Sequence, residues 1–248
     1  MFSPDVVNLR EFYALPIGRR VSVLVSQAIT ALWPDAKGDA MLGIGYTVPY
    51  AEPYLVSAAP LIMCMPAGQG AVYWPPEAAN RVFMGHESEL PLQENSINRI
   101  LLVHAIENSE QLSWLMQELW RVLTPGGRVL AVAPNRMGLW SHSSRSPFGY
   151  GRPFSMVQLR DLFSQNHFTV TRSGSALFVP PTRFAFMWRL APKLEYIGKS
   201  LCPFFGGVLL IEAEKQLNAA IRQTAIAKRG YRMSAAATKP VMGLKHQQ

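Results

Sequence analysis

The chain has 248 residues, 49% of them hydrophobic, and a formal net charge of +8. Such a chain can bury a full core in one domain, with length left for a lid and a tail. No window reaches the ~18 uninterrupted apolar residues of a spanning helix, and Cys64 and Cys202 lie too far apart for a cysteine-based metal centre. Both cysteines sit among apolar neighbours and are expected to be buried, reduced thiols. Asp5, Arg10 and Glu11 precede any long apolar run, so no secretory signal is read and a cytoplasmic location is expected. The positive charge is uneven: residues 213–248 hold seven basic residues against Glu214 alone. This reads as a solvated basic tail; contact with nucleic acid or an anionic membrane through it is the disfavoured alternative, because only Tyr231 interleaves the charges.

Taken in chain order, residues 1–37 read as an N-terminal helical cap. Val6 to Phe12 and Arg19 to Trp33 carry helix-like apolar spacing, separated by Pro16-Ile17-Gly18. A buried strand at 39–44 ends in Gly43-Ile44-Gly45, and Pro49 to Ala59 reads as a short helix. Leu61 to Met65 is a second strand, closed by Pro66-Ala67-Gly68, and Arg81 to Met84 a third. Ile97 to His104 is the fourth, Glu110 to Leu123 a helix with Leu112, Leu115, Met116, Leu119 and Val122 on one face, and Arg128 to Ala133 the fifth strand. Residues 134–154 show no periodicity and read as a functional loop. Ser155 caps a helix over Met156 to Ser164, Phe168 to Thr171 is a sixth strand, and 176–206 is a Pro/aromatic-rich lid or insertion. Gly207 to Glu212 is the last strand. Glycine at a strand exit lets a ligand approach main-chain N–H groups, so the order suits an open α/β domain binding a nucleotide-like cofactor at its strand ends.

Several residues then carry a resemblance. The glycine turn, Glu87-Ser88-Glu89-Leu90-Pro91-Leu92, Val103-His104-Ala105-Ile106-Glu107 and Glu118-Leu119-Trp120-Arg121-Val122-Leu123-Thr124-Pro125-Gly126-Gly127 resemble class I S-adenosylmethionine-dependent methyltransferases, of the type 11 kind. The resemblance covers roughly 38–135 and is strongest over 85–135. It implies an α/β, Rossmann-like doubly wound fold over 38–212. The sheet would be mostly parallel and seven-stranded, with helices on both faces and the last strand antiparallel. It also implies S-adenosyl-L-methionine as cofactor. Three departures stand out: Gly43 occupies the place of the family's acidic residue, Thr47 and Pro49 replace its second and third glycines, and Met65 to Gln69 offers no carboxylate for the ribose.

On this resemblance Gly43 and Gly45 approach the methionine portion, with Thr47 in the same turn. Tyr46 either places its ring by the sulfonium or packs in the core. Gln69 accepts from a ribose hydroxyl, and His86 and Glu87 face the adenine amino group unless Glu87 is only an exposed loop acid. His104 is a candidate catalytic base or a pocket wall, and Glu107 a second base or a helix-start acid. The loop residues Asn135, Arg136, Trp140, Phe148 and Arg152 are the expected acceptor contacts, with Gly149 and Gly151 as hinges. The histidines are scattered, so no metal is expected. The resulting expectation is methyl transfer to a small or medium-sized acceptor, with O- or C-methylation of a ring compound favoured. The alternative is a non-catalytic protein of the same fold, bound to a partner protein through 176–206 and the tail.

Overall fold

The computed structural model describes residues 5–182 and 184–216. Two helices open it: α1 (Val6–Ala14), capped by Asp5 whose carboxylate accepts from Asn8 N, and α2 (Pro16–Leu32). Pro16 starts α2 rather than separating two helices, because the first turn has no use for its missing N–H. Then follow β1 (Met41–Gly45), α3 (Val48–Ala51), β2 (Leu61–Pro66), β3 (Val82–Gly85), β4 (Ile97–Val103), α4 (Leu112–Val122) and β5 (Leu123–Pro134). The remainder is α5 (Met156–Gln165), β6 (Phe168–Ala176), α6 (Ala185–Arg189), α7 (Ala191–Leu201) and β7 (Val208–Lys215).

The seven strands form one sheet in the order β3-β2-β1-β4-β5-β7-β6. Pairings are parallel from β3 to β5, and β7 runs antiparallel to both β5 and β6. The mostly parallel seven-stranded sheet expected from the sequence is therefore present. Alternate residues along β4 feed opposite faces: Leu101 and Val103 join the α1/α2 side, Ile100 and Leu102 the α4/α5 side. Burial on both faces is why these strands read as continuous apolar runs. On α4, Leu115, Met116, Leu119 and Val122 are fully buried, each worth about 1.5–3 kcal/mol against exposure.

Three details differ from the sequence reading. The expected short helix at 49–59 is only α3 plus a 3-10 turn at Glu52–Tyr54. Strand β7 extends to Lys215, into the stretch assigned to the tail; there the Lys215 Nζ donates to Asn95 Oδ1 (2.7 Å) and to Leu123 O (2.6 Å). Residues 217–248, with the rest of that tail, lie outside the described residues. Cys202 is exposed, because α7 ends there and turns its apolar neighbours outward; Cys64 is buried, and burial pushes its thiol up to about 12.

The fold places ligands by topology. Strand order reverses between β1 and β4, so the chain leaves the two strands towards opposite sides and a crevice opens beyond their carboxyl ends.

Candidate functional site

At the end of β1 the chain turns sharply. Gly45 has φ +82°, and a Cβ there would lie 2.3 Å from Val103 O. Tyr46 N donates to that same carbonyl at 2.9 Å. A Cβ on Gly43 would lie 2.3 Å from Thr47 Oγ1. The room left by both glycines is thus taken by the chain itself, with Thr47 buried and its hydroxyl without a hydrogen-bond partner among the described residues.

Above this turn stands a cluster of buried rings. Tyr46 stacks on Tyr13 of α1, with centroids 5.7 Å apart and planes 21° apart. The Tyr13 hydroxyl lies 2.8 Å from the Tyr50 hydroxyl and 2.8 Å from His104 Nε2. His104 Nδ1 lies 3.2 Å from Glu107 Oε1. With Nδ1–H donated to that carboxylate, Nε2 is left as acceptor, Tyr13 donates to it, and Tyr50 donates to Tyr13. Burial first, then Tyr50, Tyr46 and Glu107, pushes the Tyr13 hydroxyl well above its usual pKa, so it remains a neutral donor. Phe148 closes the far side of the imidazole at 5.0 Å between centroids. His104 itself has φ +54°, a sparsely populated conformation for a non-glycine residue that costs about 1–3 kcal/mol and concentrates at functional sites.

Beside this cluster lies a cavity of about 360 Å³ at the carboxyl ends of β2, β3 and β4. Gln69, His86, Glu87, His104 and Asn108 contribute its polar wall, and Gly68 borders open space where a Cβ would meet nothing within 4 Å. Gln69 Nε2 reaches His104 O at 3.5 Å, while its buried Oε1 has no partner among the described residues. Glu87 accepts from Ser109 Oγ at 2.5 Å, and His86 Nδ1 pairs with Ser88 Oγ at 2.6 Å. A buried amide oxygen without a donor costs about 1–3 kcal/mol, and an incoming hydroxyl would supply that donor. The size and polar lining of the cavity suit an adenosine portion, with Gln69 Oε1 reachable after a turn of its side chain. The methionine portion does not fit beside the glycine turn as it stands, because Tyr13 and Tyr46 fill that hollow.

The expected sites divide accordingly. Gln69, His86, Glu87 and His104 converge on one cavity, with Phe148 against His104. Tyr46 and Thr47 are interior. The other loop residues lie elsewhere: Asn135 Nδ2 donates to Phe204 O and Gly206 O, both at 2.7 Å, and Trp140 Nε1 donates to Val179 O at 2.6 Å in the core. Arg136 and Arg152 are exposed, the former donating to Pro153 O at 3.2 Å. The loop is not structureless, for it forms 3-10 turns at Leu139–His142 and Pro147–Gly149 and docks on the site through Arg152 N to Glu107 O at 2.8 Å. A Cβ on Gly149 or Gly151 would strike Ser143 O (2.1 Å) or Glu107 O (2.3 Å), so these glycines permit close packing rather than hinge motion.

Sequence reading missed Tyr13, Tyr50 and Asn108. Tyr46 and Tyr50 stand four apart around Pro49 and would share one side of a short helix. Tyr13 carries no signal, since it completes an ordinary amphipathic face on α1.

The family model described as a methyltransferase domain matches residues 71–131. This segment begins after the altered glycine turn and includes β3, β4 and α4. No curated protein matches the chain. Among solved structures it is similar to a Thermotoga maritima S-adenosylmethionine-dependent methyltransferase, titled a possible histamine N-methyltransferase. That match has 18% identity over 85% of this chain and 96% of that one, at TM-score 0.61. It is also similar to a chain in the complex of the Haloferax volcanii Trm112 methyltransferase activator with a methyltransferase (16%, covering 84% and 97%, TM-score 0.55). A third is an Archaeoglobus fulgidus S-adenosylmethionine-dependent methyltransferase (15%, covering 78% and 94%, TM-score 0.53). At these identities the likeness establishes the fold. Together with the matched segment, it makes this chain a protein of class I methyltransferase fold that resembles the type 11 S-adenosylmethionine-dependent enzymes.

Proposed function

We propose that the chain is a cytoplasmic S-adenosylmethionine-dependent methyltransferase acting on a small or medium-sized acceptor, and that its glycine-turn hollow is closed in the present conformation. The observation that carries this reading is the 360 Å³ cavity at the strand ends, lined by Gln69, Glu87 and His104. Gln69 would accept from a ribose hydroxyl and Glu87 from the adenine amino group. When bound, the cofactor supplies a sulfonium methyl group for in-line displacement, a reaction that asks mainly for alignment. His104 is the candidate catalytic residue: its Nε2, now bonded to Tyr13, would take an acceptor's proton once Tyr13 turns away, and Glu107 fixes the tautomer that leaves Nε2 free. Phe148 covers the imidazole and excludes water from it. The aromatic surroundings of the base are the ground on which we favour O- or C-methylation of a ring compound.

A second reading has its own support. The filled hollow around Tyr13, Tyr46 and Tyr50 suits a protein that keeps the fold, binds a partner protein and transfers no methyl group. Calorimetric titration with S-adenosylhomocysteine, followed by a labelled-methyl assay over an acceptor panel, separates the two. Binding with transfer is expected. No binding at millimolar cofactor would end the enzyme reading, and binding without transfer to any acceptor would favour the second.

A further inference from the structure

We infer that α6, α7 and the turn after them form a docking surface for an anionic lipid bilayer. The segment is fastened by one stripe. Trp188 packs edge-on against Trp140 (6.4 Å) and donates to Thr182 O (2.9 Å). Glu195 accepts from Leu177 N (3.2 Å) and Phe178 N (2.6 Å), and Gly198 lies so close to the Phe178 ring that a Cβ would stand 2.3 Å from it. The opposite stripe is where a water-facing helix carries polar residues. Here the outward side mixes Lys193 and Ser200 with exposed Phe186, Leu190, Tyr196 (79% exposed), Ile197 and Leu201 (74%), with Phe184 (68%) and Phe204 (73%) at the two ends. Eight of the eighteen exposed large hydrophobics in the described residues fall between 184 and 205. Exposed large hydrophobics so concentrated in one segment mark an interaction site rather than scattered surface.

Charge selects the partner. Arg189, Lys193 and Lys199 are exposed around this patch, and its one acidic residue, Glu195, is turned inward. Arg19 and Arg20 of α2 continue the positive rim, bordering with Tyr196 and Lys199 a groove of about 670 Å³. Apolar and aromatic side chains ringed by cations, with no exposed carboxylate in the segment, match the boundary between acyl chains and anionic headgroups. Helix α7 spans 11 residues, and no described helix is long and apolar enough to cross a membrane. The contact therefore lies in the plane of the interface.

The test is sedimentation of the full chain with sucrose-loaded vesicles. Binding is expected to vesicles of phosphatidylcholine mixed with phosphatidylglycerol, and to be at least about tenfold weaker with phosphatidylcholine alone. Leu201→Ser/Phe204→Ser/Phe205→Ser and, separately, Arg189→Glu/Lys193→Glu/Lys199→Glu should each weaken binding at least about tenfold, with an unchanged melting temperature. Undiminished binding by both variants would place the contact elsewhere, the basic 217–248 segment included, and overturn the proposal. So would self-association of the wild type without vesicle binding, which would make this a protein-docking face. As a check that needs no stripped variant, Tyr196→Trp fluorescence should shift to the blue on anionic vesicles; an unshifted spectrum contradicts the proposal.

Discussion

The two halves of the strand-end crevice differ in what occupies them. Beyond β2 and β3 the walls stand apart and leave a buried amide oxygen, Gln69 Oε1, without a donor. Beyond β1 the same crevice is filled by Tyr13, Tyr46 and Tyr50; the Tyr13 hydroxyl bonds Tyr50 and His104, and His104 bonds Glu107. Unmet polar atoms occur in both halves, since Thr47 Oγ1 and Glu107 Oε2 also lack partners among the described residues. What separates the halves is open space on one side and packed rings on the other. The altered glycine motif belongs to the second half, whereas the matched segment, 71–131, contributes to both, with His86 and Glu87 in the first and His104 and Glu107 in the second. Helix α1 joins them, since Val6 N donates to Gln69 O at 2.7 Å while Tyr13 closes the far side. Releasing all of α1 would expose Val6, Leu9, Phe12 and Tyr13, at an upper limit of about 6–12 kcal/mol. That range brackets the roughly 8 kcal/mol of a micromolar ligand. Moving the Tyr13 ring alone exposes one of these four side chains, so it is the less costly way for a ligand to enter the filled half.

The largest contrast should come from glycines on the two sides. Gly45→Val combines positive φ with a contact at 2.3 Å to backbone and should cost roughly 3–5 kcal/mol or more, visible as loss of the folded baseline in a thermal melt. Gly68→Ala meets no atom and should leave the melt unchanged while narrowing the cavity. Equal melts for both variants would erase the distinction between a turn packed by the chain and a wall facing space.

Next comes the aromatic network. Tyr13→Phe removes the hydroxyl between Tyr50 and His104 and should cost about 1–3 kcal/mol in chemical denaturation, because buried partners are left unmet. The filled half also has a pH signature. Burial raises Tyr13 and Tyr50 above the usual tyrosine value, so the folded state favours their protonated forms. Their contribution to stability is then complete below about pH 10 and is lost as pH rises beyond it. Stability against pH should fall above that point in the wild type and less steeply in Tyr13→Phe. Parallel profiles would show that Tyr13 is not coupled to the fold.

The smallest effect expected is on the open side. Gln69→Ala removes one acceptor and should weaken S-adenosylhomocysteine binding by about five- to tenfold, with little change in the melt. Unchanged affinity would remove Gln69 from the site.

Much of the scaffold was legible because its signals are local and redundant. The face of α4 is written in Leu112, Leu115, Met116, Leu119 and Val122, and the central strands are unbroken apolar runs. The ends of elements were less so: β6 runs to Ala176 because pairing with β7 carries it past Thr171, a gain local propensity does not contain. Helices α6 and α7 were hidden by Pro192 and by aromatics that face outward against the usual pattern. Of the proposed site, Gln69, His86 and Glu87 were singled out by the family resemblance and His104 by its place at a strand end, and the fold brings all four to one cavity. Asn135 and Trp140 were grouped with Phe148 by proximity in sequence, yet their side chains serve backbone groups of the 176–207 region. Tyr13 depends on a contact across 91 residues to His104, which no local pattern encodes.

The most direct test of an open adenosine half beside a closed amino-acid half is to measure the affinities of adenosine and S-adenosylhomocysteine by calorimetry, in the wild type and in Tyr13→Ala. The account predicts that both ligands bind the wild type with affinities within about tenfold of each other, and that Tyr13→Ala tightens S-adenosylhomocysteine without improving adenosine, because removing the ring frees space only for the amino-acid end. Failure of adenosine to bind either protein, or an equal gain for both ligands in the variant, would contradict it.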